Sequence, residues 1–169
     1  MLIEQWMAQY SSDLYRVCLS ILNDPDEAED AVQETFIAAS RALLEYRHEA
    51  GPRTWLYRIA VNHCLTQLRR RRSRLALARA VHAVQALFDH PLSPDQAVDT
   101  AEGDAELWAA VDRLDEKHRL PVLLRYLHGL PIKDIARVLG INEGTVHSRL
   151  YYAHRQLMRQ LDRASQEAS

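Results

Sequence analysis

Glycine is scarce in this chain: five residues in 169, at positions 51, 103, 129, 140 and 144. None opens a glycine-rich phosphate loop, and no Gly-Lys-Ser/Thr follows a strand-like run, which argues against P-loop nucleotide hydrolysis. So few glycines also argue against a sheet with many tight turns. Cysteine is scarcer still. Cys18 and Cys64 are the two present, too few for a disulfide framework. No uncharged stretch approaches the length of a membrane span. The start, Met1-Leu2-Ile3-Glu4, lacks the basic and then apolar pattern of a signal peptide. The expectation is a cytoplasmic chain with reduced thiols and no membrane insertion. His63 and Cys64, adjacent on one helix, would point in different directions, and neither Cys-x-x-Cys nor His-Glu-x-x-His occurs. No nucleophile, base and orienter stand together, so no catalytic residue, metal or cofactor is expected, and the chain is read as not an enzyme.

What is present is charge in blocks. The formal net charge is −2, which by itself speaks against DNA binding. Its distribution speaks for it. Residues 1–34 carry eight acids and one base, and residues 53–79 carry eight arginines and no acid. Residues 80–116 carry nine acids and one base, and residues 117–163 carry nine bases and three acids. The average hides two basic surfaces, each able to hold phosphate.

The apolar pattern is helical throughout. Leu14, Val17, Cys18, Ile21 and Leu22 make one stripe at i, i+3, i+4, i+7 and i+8. A new helix begins after Asn23, with Asp24 as cap and Pro25 in the first turn, and with Val32, Phe36, Ala39 and Leu43 as its stripe. His48 to Pro52 reads as a loop. Thr54 is expected to cap the next helix, which carries Trp55, Leu56, Ile59, Ala60, Cys64 and Leu68 and ends in, or passes through, the arginine run Arg69 to Arg72. Residues 75–103 read as a linker with partial helix. Fully extended, those 29 residues span about 100 Å, near three turns of B-DNA. Helices are then expected at 104–113, 115–128, 132–138 and 143–162, with Pro121 kinking the second or shifting its start. The fold class is therefore all-α: two small helical domains, 1–74 and 104–169, joined by a 75–103 linker.

The second domain contains a helix-turn-helix pattern over 132–151. Ala136 is small where two helices cross closely, and Gly140 supplies the left-handed turn residue. Ile135, Leu139, Ile141, Val146 and Leu150 form a shared core. Asn142 caps the second helix, with Thr145 in its first turn. That helix presents Glu143, Gly144, Thr145, His147, Ser148, Arg149, Tyr151 and Tyr152 outward or along its flanks, as an element entering a major groove must.

Asp30-Ala-Val-Gln33-Glu34-Thr-Phe36, followed by Arg53-Thr-Trp55-Leu-Tyr-Arg58-Ile-Ala-Val-Asn62, resembles region 2 of extracytoplasmic-function (ECF) sigma factors of the sigma-70 family. Leu114 to Leu161 resembles region 4 of the same family, with Ile135-Ala136, Leu139-Gly140 and Gly144-Thr145-Val146 in place. The resemblance covers nearly the whole chain. It implies that Asp30, Gln33, Glu34 and Phe36 dock on the clamp helices of the largest subunit of bacterial core RNA polymerase, with region 4 on the flap. It implies that Arg47, His48, Arg53, Arg58, Asn62 and Arg69, Arg70, Arg71 and Arg72 handle the −10 promoter DNA, where unpaired bases are captured beside a basic groove. Trp55 is read as core rather than as a stacking platform. Glu143, Gly144, Thr145, His147, Ser148, Arg149, Tyr151, Tyr152 and Arg155 would read the −35 element as duplex. An anti-sigma factor covering these faces is a further implied partner.

One departure from the family pattern, one argument from charge and a rival complete the reading. Relatives of this kind usually carry arginine at the place of His147. A histidine is mostly neutral at pH 7, so an unusual −35 preference or a weaker dependence on that element is expected. The acids of 89–116 are expected to fold against the basic helices of the free chain and discourage DNA binding. A helix-turn-helix regulator acting on operator DNA without polymerase would explain 117–163, but it leaves the Asp30 to Asn62 pattern without a role.

Overall fold

A computed structural model describes residues 2–46, 50–85 and 102–167, with side chains placed for 2–46, 50–75 and 107–161. Three helices build the first domain: α1 (Leu2–Leu22), α2 (Pro25–Ala42) and α3 (Pro52–Gln85). A 3₁₀ turn, Leu43–Glu45, closes α2. The second domain contains α4 (Glu102–Asp112), α5 (Glu116–Val122), α6 (Ile132–Leu139) and α7 (Glu143–Glu167).

The α1 stripe is buried as its spacing requires: Leu14, Val17, Cys18, Ile21 and Leu22 all lie in the core. Asn23 ends the helix in the left-handed region at φ 54°, and its N–H bonds the carbonyl of Leu19 at 2.8 Å. Asp24 then caps α2 by accepting from the Glu27 N–H at 2.9 Å, with Pro25 at the first position. The buried face of α2 is Ala28, Ala31, Thr35, Phe36 and Ala39. Val32 and Leu43 are only half-buried. The alanines let α2 lie close to its neighbours, and the Thr35 hydroxyl is satisfied by the carbonyl of Ala31 at 2.6 Å.

Helix α3 departs from expectation at its start, and at its far end takes the longer of the two courses the sequence left open. It starts at Pro52, whose fixed φ suits a first turn, so Gly51 accepts the first helical bond from Trp55 at 3.1 Å. Thr54 is therefore not a cap but a buried residue of the first turn. At the other end the helix passes through Arg69 to Arg72 and continues to Gln85, well into the stretch read as linker. Tyr57 and Val61 join Leu56, Ala60 and Cys64 in the core, whereas Trp55, Ile59 and Leu68 are half-buried. Cys18 and Cys64 meet there as free thiols. A hydrogen bond from Cys18 together with burial pushes the Cys64 thiol far up, which keeps it unreactive.

In the second domain Asp115 caps α5 through the His118 N–H at 3.3 Å. Pro121 sits inside α5 and does not end it. Instead the chain loosens beyond it into an i→i+5 turn over Leu123–Leu127, closed by the His128 N–H on the carbonyl of Leu123 at 3.1 Å. Proline brings no N–H to the ladder, and one extra residue per turn absorbs the misfit. Gly129, at φ 65°, then turns the backbone so that the Leu130 N–H reaches the carbonyl of Leu124 at 2.9 Å.

The helix-turn-helix forms as the pattern demands. Gly140 takes φ 65°, the Ile141 N–H bonds the carbonyl of Ala136 at 3.0 Å, and Asn142 Oδ1 accepts from the Thr145 N–H at 2.7 Å. Ile135, Val146 and Leu150 are buried.

The domains touch. α6 packs on α3, and α1 meets the turn after α5. Arg119 of α5 donates to the carbonyl of Ser20 at 3.1 Å, His128 Nε2 lies 2.9 Å from Ser20 Oγ, and Arg72 pairs with Glu116 at 3.0 Å.

Candidate nucleic-acid interface

An α-helix turns about 100° per residue. On α3 this brings Arg58, Asn62, Arg69 and Arg72 into one stripe, and all four are exposed. Cations alternating with an amide along one face can follow a phosphate backbone and reach a base edge. Arg70 and Arg71 are exposed but lie off that stripe.

Arg53 lies on another face. Its guanidinium donates to Tyr57 Oη at 3.1 Å, sits over the Tyr57 ring at 5.0 Å, and pairs with Asp13 at 3.5 Å. These contacts brace α1 against α3, while the Arg53 side chain stays 46% exposed. Burial pushes the Tyr57 hydroxyl above its usual range despite this cation. Arg47 and His48 lie outside the described residues.

Three aromatic rings gather at the start of α3. Trp6 meets Tyr46 edge-on at 5.5 Å and Trp55 at 5.9 Å, and Tyr46 lies 4.8 Å from Trp55. The Tyr46 hydroxyl donates to the carbonyl of Ala50 at 2.6 Å, which ties the end of the 3₁₀ turn to the residues just before α3. Trp55 is thus half core and half wall. It lines a groove of about 1040 Å³ with Tyr46 and Arg58, faced from the second domain by Arg137, Glu143 and Thr145. This groove was not legible in the sequence, because its walls come from separate domains.

On α7 the buried face is Val146, Leu150, Ala153 and Leu157. Glu143, Gly144, His147, Ser148, Tyr151 and Arg155 are exposed; Gly144, Ser148, Tyr151 and Arg155 fall together on the far side, His147 lies at its edge, and Glu143, in the first turn, sits nearer the buried face. Thr145 is half-buried and its hydroxyl donates to Asn142 Oδ1 at 2.8 Å, so it serves the cap. The Ser148 hydroxyl is turned back to the carbonyl of Gly144 at 3.0 Å. Arg155 lies over the Tyr151 ring at 5.9 Å, and Tyr152 is exposed on the flank beside His118. Arg149 is half-buried on the opposite flank, away from the His147 face.

Asp30, Gln33 and Glu34 are exposed on α2, but Phe36 is buried at 4% exposure and holds the helix in place. Beside Gln33 a hollow of about 600 Å³, lined by Ser11, Tyr15, Arg16, Glu29 and Val32, runs between α1 and α2. Among the described residues no group of His, Cys, Asp and Glu is arranged to hold a metal ion. No described helix is long and apolar enough to cross a membrane.

A basic helix stripe in one domain and a capped helix-turn-helix in the other define a protein with two separate nucleic-acid-reading surfaces. Comparisons with known proteins agree. Residues 6–74 match the family model for Sigma-70 region 2, and residues 104–163 match that for Sigma-70, region 4. The RNA polymerase sigma-H factor of Pseudomonas aeruginosa is 34% identical over 167 residues, spanning 95% of this chain and 86% of that protein. The ECF RNA polymerase sigma factor SigM of Mycobacterium tuberculosis is 32% identical over 160 residues, spanning 94% and 76%. Among solved structures, CnrH in complex with the cytosolic domain of CnrY superposes with a TM-score of 0.66 at 26% identity, covering 95% of this chain and 87% of that one. The sigma factor RpoE of Bartonella quintana, solved with the anti-sigma factor NepR, shares the fold at a TM-score of 0.67 and 23% identity, covering 94% and 96%. The chain belongs to the ECF RNA polymerase sigma factors.

Proposed function

We propose that this chain acts in the cytoplasm as the promoter-reading subunit of bacterial RNA polymerase. The observation that carries the reading is the coexistence of the Arg58–Asn62–Arg69 stripe and the helix-turn-helix in one chain. The exposed Asp30, Gln33 and Glu34 of α2 meet basic side chains of the clamp helices in core polymerase. The α3 stripe takes the opened −10 strand: cations hold phosphates, Asn62 addresses a base edge, and Trp55 and Tyr46 border the place where a base leaves the stack. The outer face of α7 enters the major groove at −35. The chain carries no chemistry of its own in this role; it positions the polymerase's active centre on a start site. An anti-sigma protein is a natural partner, since CnrH was solved with the cytosolic domain of CnrY. The groove between the domains has room for about two turns of a helix 10–12 Å across. An operator-binding regulator is not favoured, because it gives residues 6–74 nothing to do.

The test is transcription with core polymerase lacking any sigma factor, on a pool of promoter fragments from the source genome. Discrete starts that require the chain, and that fall when Asp30 or Glu34 is changed to lysine, support the reading. Tight operator binding by the chain alone, with no start and no binding to core, overturns it.

A further inference from the structure

Tyr151 and Tyr152 stand side by side on α7, 59% and 57% exposed. Each carries a large apolar ring that its own domain leaves uncovered. Tyr151 falls on the outer face with Gly144, Ser148 and Arg155, opposite the buried Val146, Leu150 and Ala153. Tyr152 stands on the flank beside His118.

The Tyr151 ring is held in place. Tyr152 meets it edge-on, at 5.6 Å and 73°. Tyr152 in turn lies 6.3 Å from the His118 ring, whose Nδ1 is fixed by Asp115 Oδ1 at 2.5 Å. On the C-terminal side the Arg155 guanidinium lies 5.9 Å from the centre of the Tyr151 ring. Helix side chains lean towards the N-terminus, so Tyr151 covers the surface above His147 and Ser148. That surface is low. Gly144 has no side chain, and the Ser148 hydroxyl is folded back on the Gly144 carbonyl at 3.0 Å. Two small residues thus run up to one raised ring.

In the major groove, bases are told apart by a few side-chain pairings. Arginine or lysine grips guanine, asparagine or glutamine grips adenine, a carboxylate takes cytosine, and an apolar group meets the methyl of thymine. The outer face of α7 offers no asparagine, glutamine or carboxylate. Its one cation, Arg155, is engaged with Tyr151, and Arg149 is half-buried on the opposite flank. The Thr145 and Ser148 hydroxyls donate within the helix and its cap. What this face presents to a base edge is an aromatic ring, which suits a methyl group.

We propose that Tyr151 reads thymine C5-methyl groups in the major groove, with Tyr152 as the positioning residue that holds its ring. Base selection by this helix then rests on apolar contact more than on hydrogen bonds from a cation. This rests on the entry of α7 into the major groove proposed above. The duplex selected carries thymine, on either strand, where the ring meets the base edges.

The experiment uses a duplex library with a randomised block, made once with thymidine and once with deoxyuridine, which lacks only the methyl. The reconstituted holoenzyme and the chain alone are each selected on both, and recovered duplexes are measured by fluorescence anisotropy. Thymine is enriched in the first library, and the matching uracil is not enriched in the second. Each methyl removed under the ring weakens binding about fourfold. Tyr151→Ala binds the two forms equally, whereas Tyr151→Phe keeps the preference; the ring is exposed, so both variants fold, and circular dichroism checks this. Tyr152→Leu narrows the thymine-to-uracil ratio and Tyr152→Phe restores it, with the salt slope unchanged in both. Equal binding of thymine and uracil duplexes by the wild type overturns the proposal. So does a preference that survives Tyr151→Ala, or selection of no sequence at all. Starts from promoters whose −35 thymines can be replaced freely by uracil keep the promoter reading and remove Tyr151 from it. Methyl-dependent selection by the chain alone, with no binding to core polymerase, keeps the tyrosine reading and removes the promoter one.

Discussion

Glu116 and Arg72 stand 3.0 Å apart, one from the second domain and one from the last position of the four-arginine run. The pair realises, at one point, the expectation that acids of the 89–116 stretch meet the basic helix. Asp112 turns instead to Arg119 of its own domain. Residues 86–101, which include three more of those acids, lie outside the described residues. The Arg72 side chain is 64% exposed, so this pair contributes little, on the order of 0–1 kcal/mol. Raising salt from about 50 to 500 mM should therefore leave the radius of gyration of the free chain unchanged in small-angle scattering. Expansion with salt would mean that surface charge, not the Ser20 contacts, holds the domains together.

Acid should open the chain where salt does not. Burial, with Arg53 and Arg16 nearby and against a smaller opposing effect of Asp13, lowers the His128 pKa from 6.5 to about 4. The form with its domains in contact thus binds fewer protons than an open form in which His128 is solvated. Closure is at full strength above pH 6.5 and weakens as pH falls towards 4. Between pH 7 and 5 the closed-to-open ratio should drop about twenty-fold. The radius of gyration reports this, and His128→Gln, which keeps a donor for Ser20, should abolish the dependence.

The basic residues of α3 should divide into two groups. Arg69→Ala removes one phosphate contact, so polymerase holoenzyme binding should lose about one unit of salt slope with the melting temperature unchanged. Arg53→Ala should do the reverse. It breaks the brace to Asp13 and Tyr57 and lowers the melting temperature by several degrees, at about 1 kcal/mol. Equal effects on DNA affinity would return Arg53 to the DNA-binding set.

His147 is exposed at the edge of the outer face of α7. His147→Arg should tighten binding to a −35 duplex and steepen its salt dependence by about one unit, read by fluorescence anisotropy. An unchanged slope would show that position 147 faces a base or solvent and not a phosphate.

The turn of the helix-turn-helix should fail for a backbone reason. A Cβ on Gly140 would meet nothing within 4 Å, yet φ stays at 65°. Gly140→Ala should cost about 1–2 kcal/mol through the left-handed conformation alone. Asn142→Ala should cost about 1 kcal/mol by removing the cap. Thermal melting of the pair of single variants separates strain from a lost hydrogen bond.

The helices and the helix-turn-helix were legible because their signals are local. The α1 stripe, Asp24 with Pro25, and Gly140 with Asn142 each specify their own backbone within a few residues. Thr54 misled because Pro52 starts α3 earlier, whereas the passage of α3 through the arginine run, one of the two courses open from the sequence, follows because nothing in that run breaks a helix. The contact of Arg53 with Asp13 was illegible, since the two lie forty residues apart. Phe36 looked like part of a docking face and is core, because the face of α2 is set by Ala28, Ala31 and Thr35 as much as by the larger side chains. Pro121 gave warning of an irregularity but not of its form. The wide turn and the position of His128 follow from packing against α1.

The length of α3 limits how far apart the two promoter elements can stand. Only sixteen residues separate Gln85 from Glu102. Stretched straight, the chain between those two helices covers about 60 Å, short of two turns of B-DNA, and not the three that a 75–103 linker allows. Any greater reach has to come from the direction in which the far end of α3 points. A promoter with its elements set wider meets a tether already taut, whereas one with them set closer meets only slack. Tolerance to spacer length should accordingly be lopsided, falling off sharply on the long side.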